Sequence, residues 1–127
     1  MSSLKQVKQN VGYAAKSAGI KLSKSESDLI RRIQGRYKEM LPIPCTKCGY
    51  CLPCPNGVDI RRNFELYNDA RVFQGNAVTL NRNIYQGMAE SKRAGGCTGC
   101  RECEDKCPQH IPISEWLPKV AAYFTRT

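Results

Sequence analysis

The chain has 127 residues, enough for one domain with a modest core, and a formal net charge of +9. No apolar stretch is long enough to cross a bilayer as a helix, which excludes a spanning helix from the functional reading. The basic excess is uneven: residues 1 to 38 hold nine lysines and arginines against Glu26 and Asp28, while the remaining 89 hold eleven against nine.

In chain order, Ser3-x-x-Gln6 is a capping-box signature, and Leu4, Val7 and Val11 recur at helical spacing, predicting a helix from about Leu4 to about Lys16. Ser23-x-x-Glu26 is a second capping box. Leu29, Ile30, Ile33, Tyr37 and Met40 follow on one stripe and predict a helix to about Leu41, stopped by Pro42 and Pro44. Residues 1–41 therefore read as a basic two-helix arm. Its charge is that of a solvated helix face, because no RNA-binding or DNA-reading motif accompanies it, and nucleic acid is not an expected partner. The first 25 residues are rich in lysine and serine, but transit peptides favour arginine.

Residues 42–127 open on Cys45, Cys48, Cys51 and Cys54, with Pro55 next. Asp59 can cap a helix with Ile60, Phe64 and Tyr67 on one face, broken at Gly75 and Asn76. Leu80, Ile84 and Met88 predict another helix from about Val78 to Ser91, before Gly95 and Gly96 open the second run, Cys97, Cys100, Cys103 and Cys107 with Pro108. A short last helix carries Trp116, Leu117, Val120 and Phe124, with Pro118 starting or kinking it. No alternating pattern of strand length appears, so the fold class is mostly α.

All eight cysteines belong to the two runs. The spacing C-x2-C-x2-C-x3-C-P is that of thiolates wrapping one iron-sulfur cube while the fourth, before the proline, reaches a second. Small residues such as Gly49 and Gly99 allow the turns, and backbone N–H groups can then face the anionic core. The expected cofactors are two 4Fe-4S clusters, one on Cys45, Cys48, Cys51 and Cys107, the other on Cys97, Cys100, Cys103 and Cys54. The first run is one residue shorter than the pattern, with only Leu52 and Pro53 between its last two cysteines. Zinc in two four-thiolate sites is the competing reading, although zinc sites usually pair C-x2-C knuckles across a longer spacer. Clustered thiols without a secretory signal point to a reducing compartment, the cytoplasm by default.

The stretch from Pro44 to Ile60, with Phe64-Glu65-Leu66-Tyr67-Asn68-Asp69 beyond it and Cys97 to Leu117 later, resembles the C-terminal ferredoxin-like domain of iron-sulfur aldo/keto reductases. The resemblance implies a helical two-cluster ferredoxin-like domain, and the shortened first run is typical of that family. Met1 to Asn10 is similar to the family segment entering the last barrel helix, which implies an adenine-binding role of the NADPH site for Ser3, Gln6 and Asn10. Capping and surface polarity explain the same residues. The family's catalytic barrel typically takes about 250 residues, so no catalytic site is expected in this chain.

The implied function is electron transfer, as the C-terminal module or partner of an aldo/keto-reductase-like oxidoreductase. The alternative is a structural or docking domain whose clusters, or zinc ions, only stabilise the fold. His110, the sole histidine, reads as a loop-packing residue near Cys107. Tyr50 and Trp116 read as core aromatics, with an electron path as their alternative role.

Overall fold

A computed structural model describes residues 2–126. The mostly helical expectation holds. The described residues form six α-helices and no strand: α1 Leu4–Ser17, α2 Lys24–Met40, α3 Ile60–Phe73, α4 Asn76–Gly87, α5 Glu102–Asp105 and α6 Ile113–Thr125. Two short 3-10 turns, Glu90–Lys92 and Ala94–Gly96, lead into the second cysteine run. The chain divides into two compact units, the first ending at Arg36 and the second beginning at Tyr37.

The first unit follows its caps. Ser3 Oγ accepts from Gln6 N–H (3.3 Å), and Gln6 Oε1 reaches back to Ser2 N–H (2.9 Å), one residue before the position a capping box uses. Ser23 and Glu26 close the full box: Glu26 N–H donates to Ser23 Oγ (3.3 Å) and Ser23 N–H to Glu26 Oε2 (2.8 Å). The Ser23 hydroxyl, which donates to Glu26 Oε2 (2.7 Å), and then the Ser23 N–H hold the Glu26 carboxyl below its ordinary value. Neither α1 nor α2 buries a residue.

The second unit holds the core. Asp59 caps α3 by accepting from Arg62 N–H (3.1 Å), and α3 buries Ile60, Phe64 and Leu66 as it packs on α4 and α6. α6 returns Ile113, Leu117, Val120 and Phe124 to the same core. Pro118 neither starts nor stops α6; it lies inside the helix, where its missing N–H leaves Ser114 C=O without the usual partner.

α4 ends earlier than expected. It runs Asn76–Gly87 and stops before Ser91 because the Arg93 guanidinium takes the terminal carbonyls, Nε bonding Met88 C=O (3.0 Å) and Nη2 bonding Gln86 C=O. Its fully buried residues are Asn81 and Tyr85, and Ile84 and Met88 of the expected stripe pack partly buried against the core, while Leu80 is 60% exposed. Tyr85 stacks on Phe124 with ring centroids 4.7 Å apart.

Candidate metal centre

Two buried asparagines fix the entry to each cysteine loop from α3. Asn68 reads the backbone of Ile43, accepting from its N–H (3.2 Å) and donating to its C=O (2.7 Å), two residues before Cys45. Asn63, fully buried, donates to Asp59 C=O (2.7 Å) and Lys92 C=O (2.8 Å) and accepts from Ala94 N–H (2.9 Å), three residues before Cys97. α3 thereby positions both loops, a role that polar residues on a helix face did not announce in the sequence.

The loops share one backbone design. In the first, Lys47 (φ 59°) and Gly49 (φ 85°) flank Cys48; in the second, Gly99 (φ 75°) and Arg101 (φ 66°) flank Cys100. Left-handed residues on both sides of the central cysteine fold each loop around its own interior and turn successive N–H groups inward. Lys47 and Arg101 hold this conformation without being glycine, local strain of a kind that accumulates at functional sites.

The Cys-Pro turns repeat as well. Gly57 N–H bonds Cys54 C=O (2.9 Å), and His110 N–H bonds Cys107 C=O (3.0 Å). Gly57 and His110 are both left-handed, with φ of 80° and 49°. The expected loop-packing His110 thus occupies the place of a glycine in a turn, and its side chain is exposed. Cys-Pro-Asn-Gly-Val-Asp-Ile and Cys-Pro-Gln-His-Ile-Pro-Ile each lead into a helix, so the domain is an internal repeat that was visible in the sequence as this pair of heptapeptides.

Cys45, Cys48, Cys51 and Cys107 line one cavity, walled by Ile60, Phe64, Ile111 and Ile113. One wall comes from α3 and another from the second run, so the cavity draws its thiols from both halves of the repeat. Burial pushes the Cys45 and Cys51 thiols up, and the neighbouring thiols add to the shift. Cys48 is exposed and is held below its ordinary value, chiefly by the Tyr50 N–H aimed at its sulfur. Lys47 and Arg61 also line the cavity. Lys47 Nζ pairs with Glu65 (2.5 Å), and Arg62 binds the same carboxylate (2.6 Å).

At the second loop, Cys54, Cys97 and Cys103 are half-buried and Cys100 is exposed. Asn56 Nδ2 donates to Thr98 Oγ1 (2.9 Å), tying the Cys54 turn to the segment after Cys97. Burial, with a smaller contribution from Glu104, pushes the Cys103 thiol up to about 11. The Glu104 carboxylate accepts from Ser114 N–H (2.7 Å) and so caps α6, which Pro112 cannot do. Among the described residues, no three histidine, cysteine or acidic groups converge closely enough for a single metal ion. The four thiols of the first cavity share a lining without converging on one point.

Residues 44–113, more than half of the chain, match the family described as a 4Fe-4S dicluster domain. The chain belongs to that family. The dicluster domain accounts for both cysteine runs, and its cofactors are two 4Fe-4S clusters, which supply one-electron chemistry when bound. The chain is also 28% identical over 98 residues to the probable glycolate oxidase iron-sulfur subunit of Bacillus subtilis (strain 168). That alignment covers 69% of this chain and 21% of the relative, so the chain spans about a fifth of that protein's length. No solved structure matches significantly.

The other marked residues fall outside this centre. Ser3 caps α1, and Gln6 and Asn10 are exposed. Tyr50, expected in the core, is 65% exposed on the first loop. Trp116 is partly buried, with its ring 6.0 Å from that of Tyr67.

Proposed function

We propose that the domain relays single electrons, holding one cluster on Cys45, Cys48, Cys51 and Cys107 and the other on Cys97, Cys100, Cys103 and Cys54. The observation that carries the assignment is the cavity shared by three thiols of the first run and the last thiol of the second. Crossed ligation brings the two centres close together, which suits a relay. Eight free thiols that must stay reduced until they bind iron favour the cytoplasm.

The domain works with a larger oxidoreductase. Support comes from the relative, which is named as the iron-sulfur subunit of a probable oxidase. The motif resemblance suggests an aldo/keto reductase barrel as that partner, with residues 1–41 as the tail of the barrel and residues 42–127 as the cluster domain.

Anaerobically prepared protein should hold about eight iron and eight acid-labile sulfide per chain. Dithionite should bleach its visible absorption and mild oxidation restore it, while NADPH alone leaves it unchanged. Stoichiometric zinc without sulfide would overturn the relay. Turnover of an aldehyde with NADPH by this chain alone would overturn the need for a partner barrel.

A further inference from the structure

The internal repeat contains its own control on charge. Residues 45–65 correspond, with one insertion, to residues 97–118, each stretch running from the first cysteine of a run into the helix that follows. The first stretch carries Lys47, Arg61 and Arg62 against Asp59 and Glu65, one cation in excess. The second carries Arg101 and Lys106 against Glu102, Glu104, Asp105 and Glu115, two anions in excess.

Arg61 is the sharpest difference. It lines the cavity bounded by Cys45, Cys48, Cys51 and Cys107, and its Nη1 lies 3.8 Å from the point where a Cβ on Gly49 would stand. Lys47 and Arg62 are both engaged by Glu65, whereas no carboxylate among the described residues pairs with Arg61. At the corresponding position of the second half stands Ser114, whose N–H binds the Glu104 carboxylate at 2.7 Å. The first half thus has a cation on its cysteine cavity at a position where the second half has an uncharged serine.

Reduction adds negative charge to a centre that is already anionic, so a nearby cation favours the reduced form and a nearby anion opposes it. We infer that Arg61 makes the centre at Cys45, Cys48, Cys51 and Cys107 the higher-potential one of the two, so that an electron from a one-electron donor comes to rest there. This rests on the ligand assignment proposed above. Arg61 acts through space as a positioning residue for the electron. The acidic second loop, with Glu102 exposed between Cys100 and Cys103, is the side that gives the electron up.

The test is a redox titration of the full chain carrying both clusters, with dithionite as reductant, followed by electron paramagnetic resonance. Iron and sulfide are counted in every preparation. Arg61→Gln lowers the higher midpoint, reducing that equilibrium constant about threefold, and leaves the lower midpoint in place. Arg61→Lys keeps the wild-type value, which a purely structural role for the guanidinium would not allow. Glu102→Gln raises the lower midpoint alone. The inference is overturned if Arg61→Gln moves the lower midpoint or neither, or if Glu102→Gln moves the upper one. A wild-type chain with fewer than two clusters shows in the iron count, not in the midpoints, and overturns the ligand assignment together with the inference built on it.

Discussion

Asn63 and Glu104 show how single polar side chains hold a metal loop in place. Replacing Asn63 by Ala strands the buried Ala94 N–H, while the Asp59 and Lys92 carbonyls each lose one of two donors and keep a backbone N–H. The expected cost is about 1–3 kcal/mol, measured as a lower urea midpoint for anaerobic loss of the visible spectrum. A variant as stable as wild type would show that the backbone bond between Asp59 N–H and Lys92 C=O suffices by itself. Glu104→Ala removes the cap of α6 and should cost about 0.5–1 kcal/mol at neutral pH. The Ser114 bonds hold the Glu104 carboxyl below its ordinary 4.5 in the folded chain, so its contribution is complete above that value and is lost as the pH falls through the depressed one. The stability gap between wild type and variant therefore narrows under acid; a gap that widened would contradict the cap.

At the level of elements, whatever depends on neighbours in sequence was legible, and whatever depends on distant partners was not. The capping residues Ser3, Ser23 and Asp59 each stand immediately before a helix, and α1, α2 and α3 begin where the sequence places them. The end of α4 was misplaced because the Arg93 guanidinium that binds the carbonyls there lies beyond the helix. Ile84 and Met88 pack on the core as their spacing suggests, but the period gave no sign that Tyr85 would be buried by stacking on Phe124 or that Leu80 would be exposed. The stripes Leu4, Val7, Val11 and Leu29, Ile33, Tyr37 are helical as expected yet exposed. Isolated helices of this length are marginal in water. Removing residues 1–36 from the cluster-loaded chain is expected to leave the visible spectrum unchanged while altering solubility or association in sedimentation. Loss of the clusters without a change in association would make the arm part of the cluster fold.

For the whole molecule, the proposed crossed ligation makes the two cysteine runs complete each other's sites. Both runs were plain in the sequence as cysteine spacings, and their exchange of ligands is a proposal from that pattern, supported at one end by the cavity that Cys107 lines with Cys45, Cys48 and Cys51. The Asn63 and Asn68 clamps remained hidden, since an asparagine that reads another segment's backbone has no local signature. Because the last cysteine of each run lies at a turn leading into a core helix, the proposed exchange would also close the chain on itself: Cys107 precedes α6, and Cys54 precedes α3. Removing one such thiol should therefore injure the opposite half. Cys107→Ala is expected to damage chiefly the cluster of Cys45, Cys48 and Cys51, and Cys54→Ala chiefly that of Cys97, Cys100 and Cys103. Paramagnetic resonance of each reduced variant, with iron counted alongside, distinguishes the two centres once Cys48→Ser and Cys100→Ser have assigned the signals. If Cys107→Ala and Cys100→Ser removed the same signal, each run would hold its own cluster, and the four thiols around the first cavity would be neighbours without being a ligand set.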